Sequence, residues 1–315
     1  MSRLTIIGTG YVGTSIGLAL KQRKGSLEVV GHDLEHGRAL EAKKLGAVDR
    51  AEWNLPAALE RAGMVIVATP LHAMEKLFGQ MAEFLEPRCI VTDTASLKRP
   101  TFDWAETAFG DRASYVGGHP IVTSIDESRT PSATLFVDRT YCVIASANAS
   151  IEAVDQVTRL VRALGAKPMF IDPIEHDSHM AGLDQLPSIF ASTLMKLAGA
   201  SPSWRDGQQL AGPAFGAVTA LAMEDPSALR AKFVANREIL TRWLDMLRAE
   251  LGEVQRLLDE DPEALWRVIE TAHSLRSKWS PGTAARDDAP SIDLPGAREQ
   301  FASWFLGGLG GRGRK

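Results

Sequence analysis

The residues with the most specific chemistry stand near the start of the chain. In GTGYVGTSIG, residues 8–17, Gly8, Gly10 and Gly13 keep G-x-G-x-x-G spacing, and Gly17 follows one helical turn later. The apolar run LTII precedes them and an apolar helical pattern follows, which predicts a strand, a tight turn and a helix. In such a unit the first glycine makes the turn, the second admits a pyrophosphate to the backbone, and the third lets helix pack on sheet. The helix start, at Tyr11 and Val12, adds free N–H groups and the positive end of the helix dipole. The next strand, LEVVGHD, ends on Asp33, 20 residues after Gly13. A carboxylate there binds ribose hydroxyls and repels a 2′-phosphate, so NAD is expected over NADP, with Arg38 near enough to complicate that preference. FAD is the alternative dinucleotide, although no further flavin feature follows.

A second group carries proton chemistry. GGHPI, residues 117–121, sets His119 after two glycines at a strand end, and imidazole is the side chain best suited to proton transfer near neutral pH. VIVATP at 65–70 and TDTASLK at 92–98 end two more strands, which brings Thr69, Pro70, Asp93, Thr94 and Ser96 toward the nicotinamide half of a dinucleotide. Each also has a plain reading as turn or cap chemistry. In EHDSHM, residues 175–180, His176 and His179 are spaced to share a helix face. No HExxH pattern accompanies them and the two cysteines lie elsewhere, so no metal is expected. Caps or hydrogen bonds over the cofactor cleft are expected instead. Neither a GxSxG elbow nor a phosphate-binding GxxxxGK[ST] loop is present.

The elements that must position these residues alternate. Short apolar runs at 4–7, 27–31, 64–68, 89–92, 115–117, 141–145 and 168–171 read as strands, with amphipathic helices between them. VIVAT and CIVTD lack polar alternation, as suits strands buried on both faces of a parallel sheet. The strand signal stops near Asp172. Helices are predicted over 176–199, 208–223, 227–258 and 262–276, with DPSALR and DEDPEALW as capped starts. The stretch 229–258 is long enough for an assembly helix or a core helix. The expected organisation is a dinucleotide-binding domain over 1–172, a helical substrate and dimerisation domain over 173–280, and a polar tail over 281–315 with a short helix near 297–306.

The 315 residues carry a formal net charge of −4, which gives no bulk attraction to nucleic acid or an anionic membrane. Two cysteines cannot build a disulfide framework and fit a reducing, cytoplasmic setting. No secretory leader pattern and no apolar run of membrane-spanning length is seen, so no membrane partner is expected. Cys89 and Cys142 read as small core residues.

In their order, GTGYVGTSIG, Asp33, VIVATP, TDTASLK, GGHPI, LF at 135–136, LGAKPMFIDPIEHD and GPAFGAVT through NREIL resemble the prephenate/arogenate dehydrogenase family over about residues 3–280. The resemblance implies an α/β Rossmann-type doubly wound sheet followed by an all-helical dimerisation domain, with NAD and a small-molecule carboxylate substrate meeting between them in a homodimer. It implies oxidative decarboxylation of prephenate to 4-hydroxyphenylpyruvate, or of arogenate to tyrosine. His119 then matches the histidine that takes the ring hydroxyl's proton, and Ser96 the serine that orients both groups.

Two departures bear on the substrate. The family's Ser-His-Leu-Pro-His segment reads DQLPS here, so Gln185 and Ser188 replace two histidines. Its carboxylate-binding Thr-Arg reads Thr219-Ala220. A bidentate guanidinium has no counterpart in alanine, so Arg205, Arg237 or Arg286 is expected to take the carboxylate, or the substrate differs. The rivals are a dehydrogenase of another hydroxy acid or cyclic alcohol, and a nucleotide-sensing protein without catalysis.

Overall fold

A computed structural model describes residues 3–23, 27–122, 130–145 and 149–279 of the chain. Arg286 and the tail 281–315, with the helix expected near 297–306, lie outside the described residues.

The first 170 residues alternate as β1 (Arg3–Ile7), α1 (Tyr11–Lys21), β2 (Glu28–His32), α2 (His36–Lys44), β3 (Arg50–Ala51), α3 (Leu55–Leu59), β4 (Ala62–Val67), α4 (Leu71–Met81), β5 (Cys89–Asp93), α5 (Arg99–Phe109), β6 (Ala113–Pro120), β7 (Thr140–Ala145), α6 (Ile151–Ala163) and β8 (Lys167–Phe170). They form one sheet in the order β3-β2-β1-β4-β5-β6-β7-β8. Every pairing is parallel except β6 with β7. The doubly wound sheet read from the sequence is therefore present, and it carries an antiparallel step.

Its two faces explain the continuous apolar runs. Leu4, Ile6, Met64 and Ile66 point into one core with α1 and α6. Ile7, Val65, Val67 and Val91 point into the other, with α4 and α5. Strand side chains alternate between faces, so a strand buried on both is apolar at most positions, with Thr5, Thr92 and Asp93 among the buried polar exceptions in β1 and β5.

From Pro173 the chain is helical: α7 (Pro173–Met180), a π-helical turn (Ala181–Gln185), α8 (Leu186–Gly199), α9 (Trp204–Gly207), α10 (Pro213–Thr219), a 3₁₀ turn (Ala220–Met223), α11 (Pro226–Ala235), α12 (Arg237–Glu260) and α13 (Pro262–Lys278). Asp225 caps α11 through the Ala228 N–H at 2.8 Å, and Asp261 accepts from the Ala264 N–H at 3.0 Å, as the two Asp-Pro starts predicted. The long predicted helix is broken at Asn236, whose side chain is used elsewhere. The π-helical turn interrupts what read as one helix, and at Gly182 an added Cβ would lie 2.6 Å from the Trp243 ring of α12. Trp243 thus packs directly on the turn's backbone.

By contacts the chain divides at Trp266 and Arg267. Sheet and helices up to Trp266 are one compact unit, with α11 packed on α4 and α7 on α5. In the second unit Arg276 lies over the Trp279 ring at 4.9 Å. Among the described residues no helix is long and apolar enough to cross a membrane.

Candidate active site

Four parallel strands, β1, β4, β5 and β6, end at one edge of the sheet. The glycine turn follows β1. Gly8 has φ +92°, and a Cβ there would lie 2.5 Å from the Ala68 carbonyl oxygen at the end of β4. A Cβ on Gly13 would lie 1.9 Å from the Gly8 carbonyl oxygen. Gly10 differs, because a Cβ there would enter open space. That opening lies before α1, whose first N–H groups on Tyr11, Val12 and Gly13 have no side-chain cap from Gly10 and no acidic residue in the first turn. The arrangement fits a phosphate.

Asp33 stands at the end of β2, half-buried. Its Oδ2 accepts from the Thr9 N–H at 2.8 Å and its Oδ1 from the Glu35 N–H at 3.0 Å. The glycine turn therefore holds the carboxylate in place, with lone pairs left for ribose hydroxyls. Arg38 is bound to Glu35 at 2.7 Å, which occupies the cation that complicated the NAD preference. Thr69, beside Gly8, has a buried hydroxyl without a partner among the described residues, Pro70 immediately precedes α4, and Thr94 is half-buried.

Asp93 departs from expectation. It is fully buried and binds Lys98 and Tyr115, with its Oδ1 also accepting from the Ala95 N–H at 2.8 Å. Its carboxylate is a node of the core beneath the edge, withdrawn from any dinucleotide. Lys98, also fully buried, donates to the Gly118 carbonyl at 2.7 Å. The two glycines before His119 now have a cause. A Cβ on Gly117 would meet Lys98 at 3.0 Å, and one on Gly118 would lie 2.4 Å from the Asp93 carbonyl oxygen.

His119 is thereby held at the end of β6 with part of its surface open. Its Nδ1 lies 2.9 Å from Nε2 of His176, whose Nδ1 lies 2.8 Å from Asp177 Oδ1. Asp177 in turn accepts the N–H groups of Lys98 and Arg99, at 2.8 and 2.9 Å, at the start of α5. Burial, then the neighbouring His176, then the ammonium groups of Lys98 and Lys232 push His119 well below the ordinary imidazole value. It is neutral and proton-accepting near pH 7. Ser96 is half-buried in the loop after β5, and its hydroxyl has no partner among the described residues.

The helical segment supplies the rest. Asn236 donates to the Asp177 carbonyl at 2.9 Å and to Gln185 Oε1 at 3.2 Å. One turn earlier on α11, Lys232 binds Asp184 at 3.2 Å and Glu224 at 3.1 Å. Its burial opposes the charge, but the two carboxylates outweigh it and raise the ammonium above its ordinary value. Burial likewise raises Asp184, against the pull of Lys232.

Of the expected substrate residues, Ser188 is fully buried and donates to the Asp184 carbonyl at 3.1 Å, so its hydroxyl is spent inside the helix. Gln185 is fully buried as well, with its amide nitrogen unpartnered among the described residues. Arg205 and Arg237 are exposed, and neither guanidinium has a partner among the described residues. The structure joins neither to the His119 network. Lys98 and Lys232 are the residues that sequence reasoning missed, while His176 belongs to the segment expected to give hydrogen bonds over the cleft and was not itself named as a site residue. The two-histidine segment drew attention to itself, yet only His176 turns inward, while His179 remains exposed.

The nucleotide-binding-domain model of prephenate dehydrogenase matches residues 16–170, and the dimerization-domain model of the same enzyme matches residues 172–271. The chain belongs to the prephenate dehydrogenase family. It is 27% identical over 279 residues to prephenate dehydrogenase of Bacillus subtilis, covering 87% of this chain and 75% of that one. With the Lactococcus lactis enzyme of that name it shares 26% over 288 residues, 88% of this chain and 77% of the other. In fold it resembles prephenate dehydrogenase from A. aeolicus, solved with hydroxyphenyl propionate and NAD+, at TM-score 0.81 and 20% identity over 88% of this chain and 98% of that one. Synechocystis arogenate dehydrogenase superposes at TM-score 0.73 and 21% identity, over 88% of this chain and all of its own 100%. The first family match begins at Ile16, past the glycine turn, so the phosphate cradle rests on its own geometry.

Proposed function

We propose that this family member is an NAD-dependent dehydrogenase that oxidatively decarboxylates prephenate to 4-hydroxyphenylpyruvate, or arogenate to tyrosine. The observation that carries the reading is a neutral His119 held at the sheet edge that also bears the Gly8–Gly13 turn. Gly8, Gly10 and Gly13 with the N–H groups of Tyr11 and Val12 hold the pyrophosphate, and Asp33 holds the ribose. Thr69, Pro70 and Thr94 border the nicotinamide. When bound, NAD supplies the acceptor for the hydride that leaves the substrate's ring. His119 receives the proton of the ring hydroxyl, and Ser96 orients that hydroxyl. Loss of carbon dioxide then makes the ring aromatic, which drives the reaction without a metal electron sink.

The substrate carboxylate is assigned to Lys232 in place of Arg205 and Arg237. An ammonium has three donors, and Asp184 and Glu224 take two of those on Lys232. Lys232 stands on α11 one turn before Asn236, and its positive charge helps hold His119 below the ordinary imidazole value. The helical half forms a homodimer, supported by the dimerization-domain match and by exposed apolar residues such as Leu197, Met223 and Met246.

The test is NADH formation with prephenate or arogenate, coupled to release of carbon dioxide. Turnover of either supports the reading. No turnover with both at high enzyme concentration overturns it and leaves another cyclic alcohol or hydroxy acid as substrate. That second reading is favoured by one observation, the withdrawal of Ser188 into its helix.

A further inference from the structure

We infer that His176 and Asp177 are positioning residues that set the tautomer of His119 and leave its Nε2 as the proton acceptor. The inference rests on the proposed reaction for its kinetic consequence, while the tautomer follows from the hydrogen bonds together with a neutral His176 ring, which is part of the inference. Asp177 meets three donors: the N–H groups of Lys98 and Arg99 and the ring nitrogen Nδ1 of His176. An ionised carboxylate only accepts, so Nδ1 of His176 carries a hydrogen. In the neutral ring Nε2 of His176 then holds a lone pair. That lone pair lies 2.9 Å from His119 Nδ1, which must therefore carry the hydrogen of that contact. His119 is left with a bare Nε2, which has no partner among the described residues. Had the relay been absent, the two tautomers would compete, and the one with hydrogen on Nε2 could not take a proton at that nitrogen.

The relay is anchored at both ends. Asp177 is buried and tied to the start of α5, while Asn236 fixes its carbonyl from the helical side. His176 is buried, and its ring meets that of His119 edge-on at 80°. In the proton step the substrate O–H bond breaks and an N–H bond forms at His119 Nε2. The hydrogen on Nδ1 stays shared with His176, and the new positive charge faces a chain that ends on a carboxylate. Positive charge on His176, Lys98 or Lys232 opposes this charge at His119, and Asp177, at the far end of the relay, is the group that offsets it.

Two measurements test this. The first needs no substrate: long-range proton–nitrogen NMR of ¹⁵N-histidine-labelled full-length protein, assigned with His119→Asn and His176→Gln. Hydrogen on Nδ1 of both rings is expected. Hydrogen on Nε2 of His119 overturns the inference whatever the enzyme turns over. The second is kinetic, with NADH affinity as the check on folding. His176→Leu should lower kcat about 10- to 100-fold with KM within twofold, in the range for impaired proton transfer. His176→Gln, whose amide oxygen can still accept from Nδ1, should recover most of the loss. An unchanged kcat in His176→Leu, or an equal loss in both variants, overturns the positioning role. Failure of the unaltered enzyme to oxidise prephenate or arogenate falls on the proposed function and leaves the NMR result standing.

Discussion

The sheet half and the helical half bring different kinds of order to one site. In the sheet half most apolar residues pack into two cores on either side of the strands, although Leu34, Trp53 and Ile151 stay exposed, and site residues are placed by backbone: glycines with no room for a Cβ, and strand ends. In the helical half up to Trp266, Ala181, Ala191, Leu229, Leu240 and Leu257 are the described apolar residues that reach full burial, while Leu183, Leu197, Leu210 and Met223 stay more than 65% exposed. Its site residues are placed by polar bonds instead, from Asp177 to α5, from Asn236 to Asp177 and Gln185, and from Lys232 to two carboxylates. A surface so apolar needs a partner, whereas a sheet buried on both faces does not. One half therefore places its site residues by backbone, and the other by polar contacts.

Breaking each half at its own kind of contact separates them. The largest effect is expected from His119→Asn, which should cut turnover about 100-fold or more while NADH still binds. An unchanged rate would remove His119 from proton transfer. In the unaltered enzyme the acid limb of kcat/KM should lie well below pH 6.5, because burial and neighbouring positive groups keep His119 unprotonated there. The sign for stability is opposite. Below pH 6.5 the unfolded chain takes a proton on this histidine that the folded chain refuses, so its contribution destabilises the fold as pH falls. An acid limb at or above 6.5 would contradict the environment described.

Gly13→Ala tests backbone placement. The added Cβ cannot fit 1.9 Å from the Gly8 carbonyl oxygen, and overpacking of about 1–3 kcal/mol should weaken NADH binding roughly 10- to 100-fold by fluorescence titration. Unaltered affinity would mean the turn does not hold the phosphates.

Lys232→Met tests polar placement in the helical half. It should raise KM about tenfold with a smaller change in kcat, since it removes uniform binding. A fall in kcat at constant KM would assign the lysine to the chemistry. The smallest effect concerns assembly. Met246→Glu with Leu197→Glu should halve the mass measured by light scattering, and an unchanged mass would move the dimer contact elsewhere.

Much of the sheet half was legible because its signals are local. Apolar runs marked every strand except the two-residue β3, and Gly8, Gly10, Gly13 and Asp33 occupy the turn and strand end that their spacing predicted. Asp93 was misread for a physical reason. A carboxylate at a strand end reads alike whether it faces a ligand or a buried lysine, and only the fold shows Lys98 beneath it. The missing cation was sought among arginines, since no pattern marks Lys232 as the one that α11 turns inward.

The chain's own pattern determined a two-faced parallel sheet, a phosphate cradle and a histidine at a strand end. Each depends on residues within one turn or strand. What only the tertiary structure decided is how His119 meets His176, 57 positions away, how Asp177 reaches the start of α5, and which lysine is buried. Those contacts arise where helices pack across a sheet edge, and spacing along the chain carries no measure of that distance.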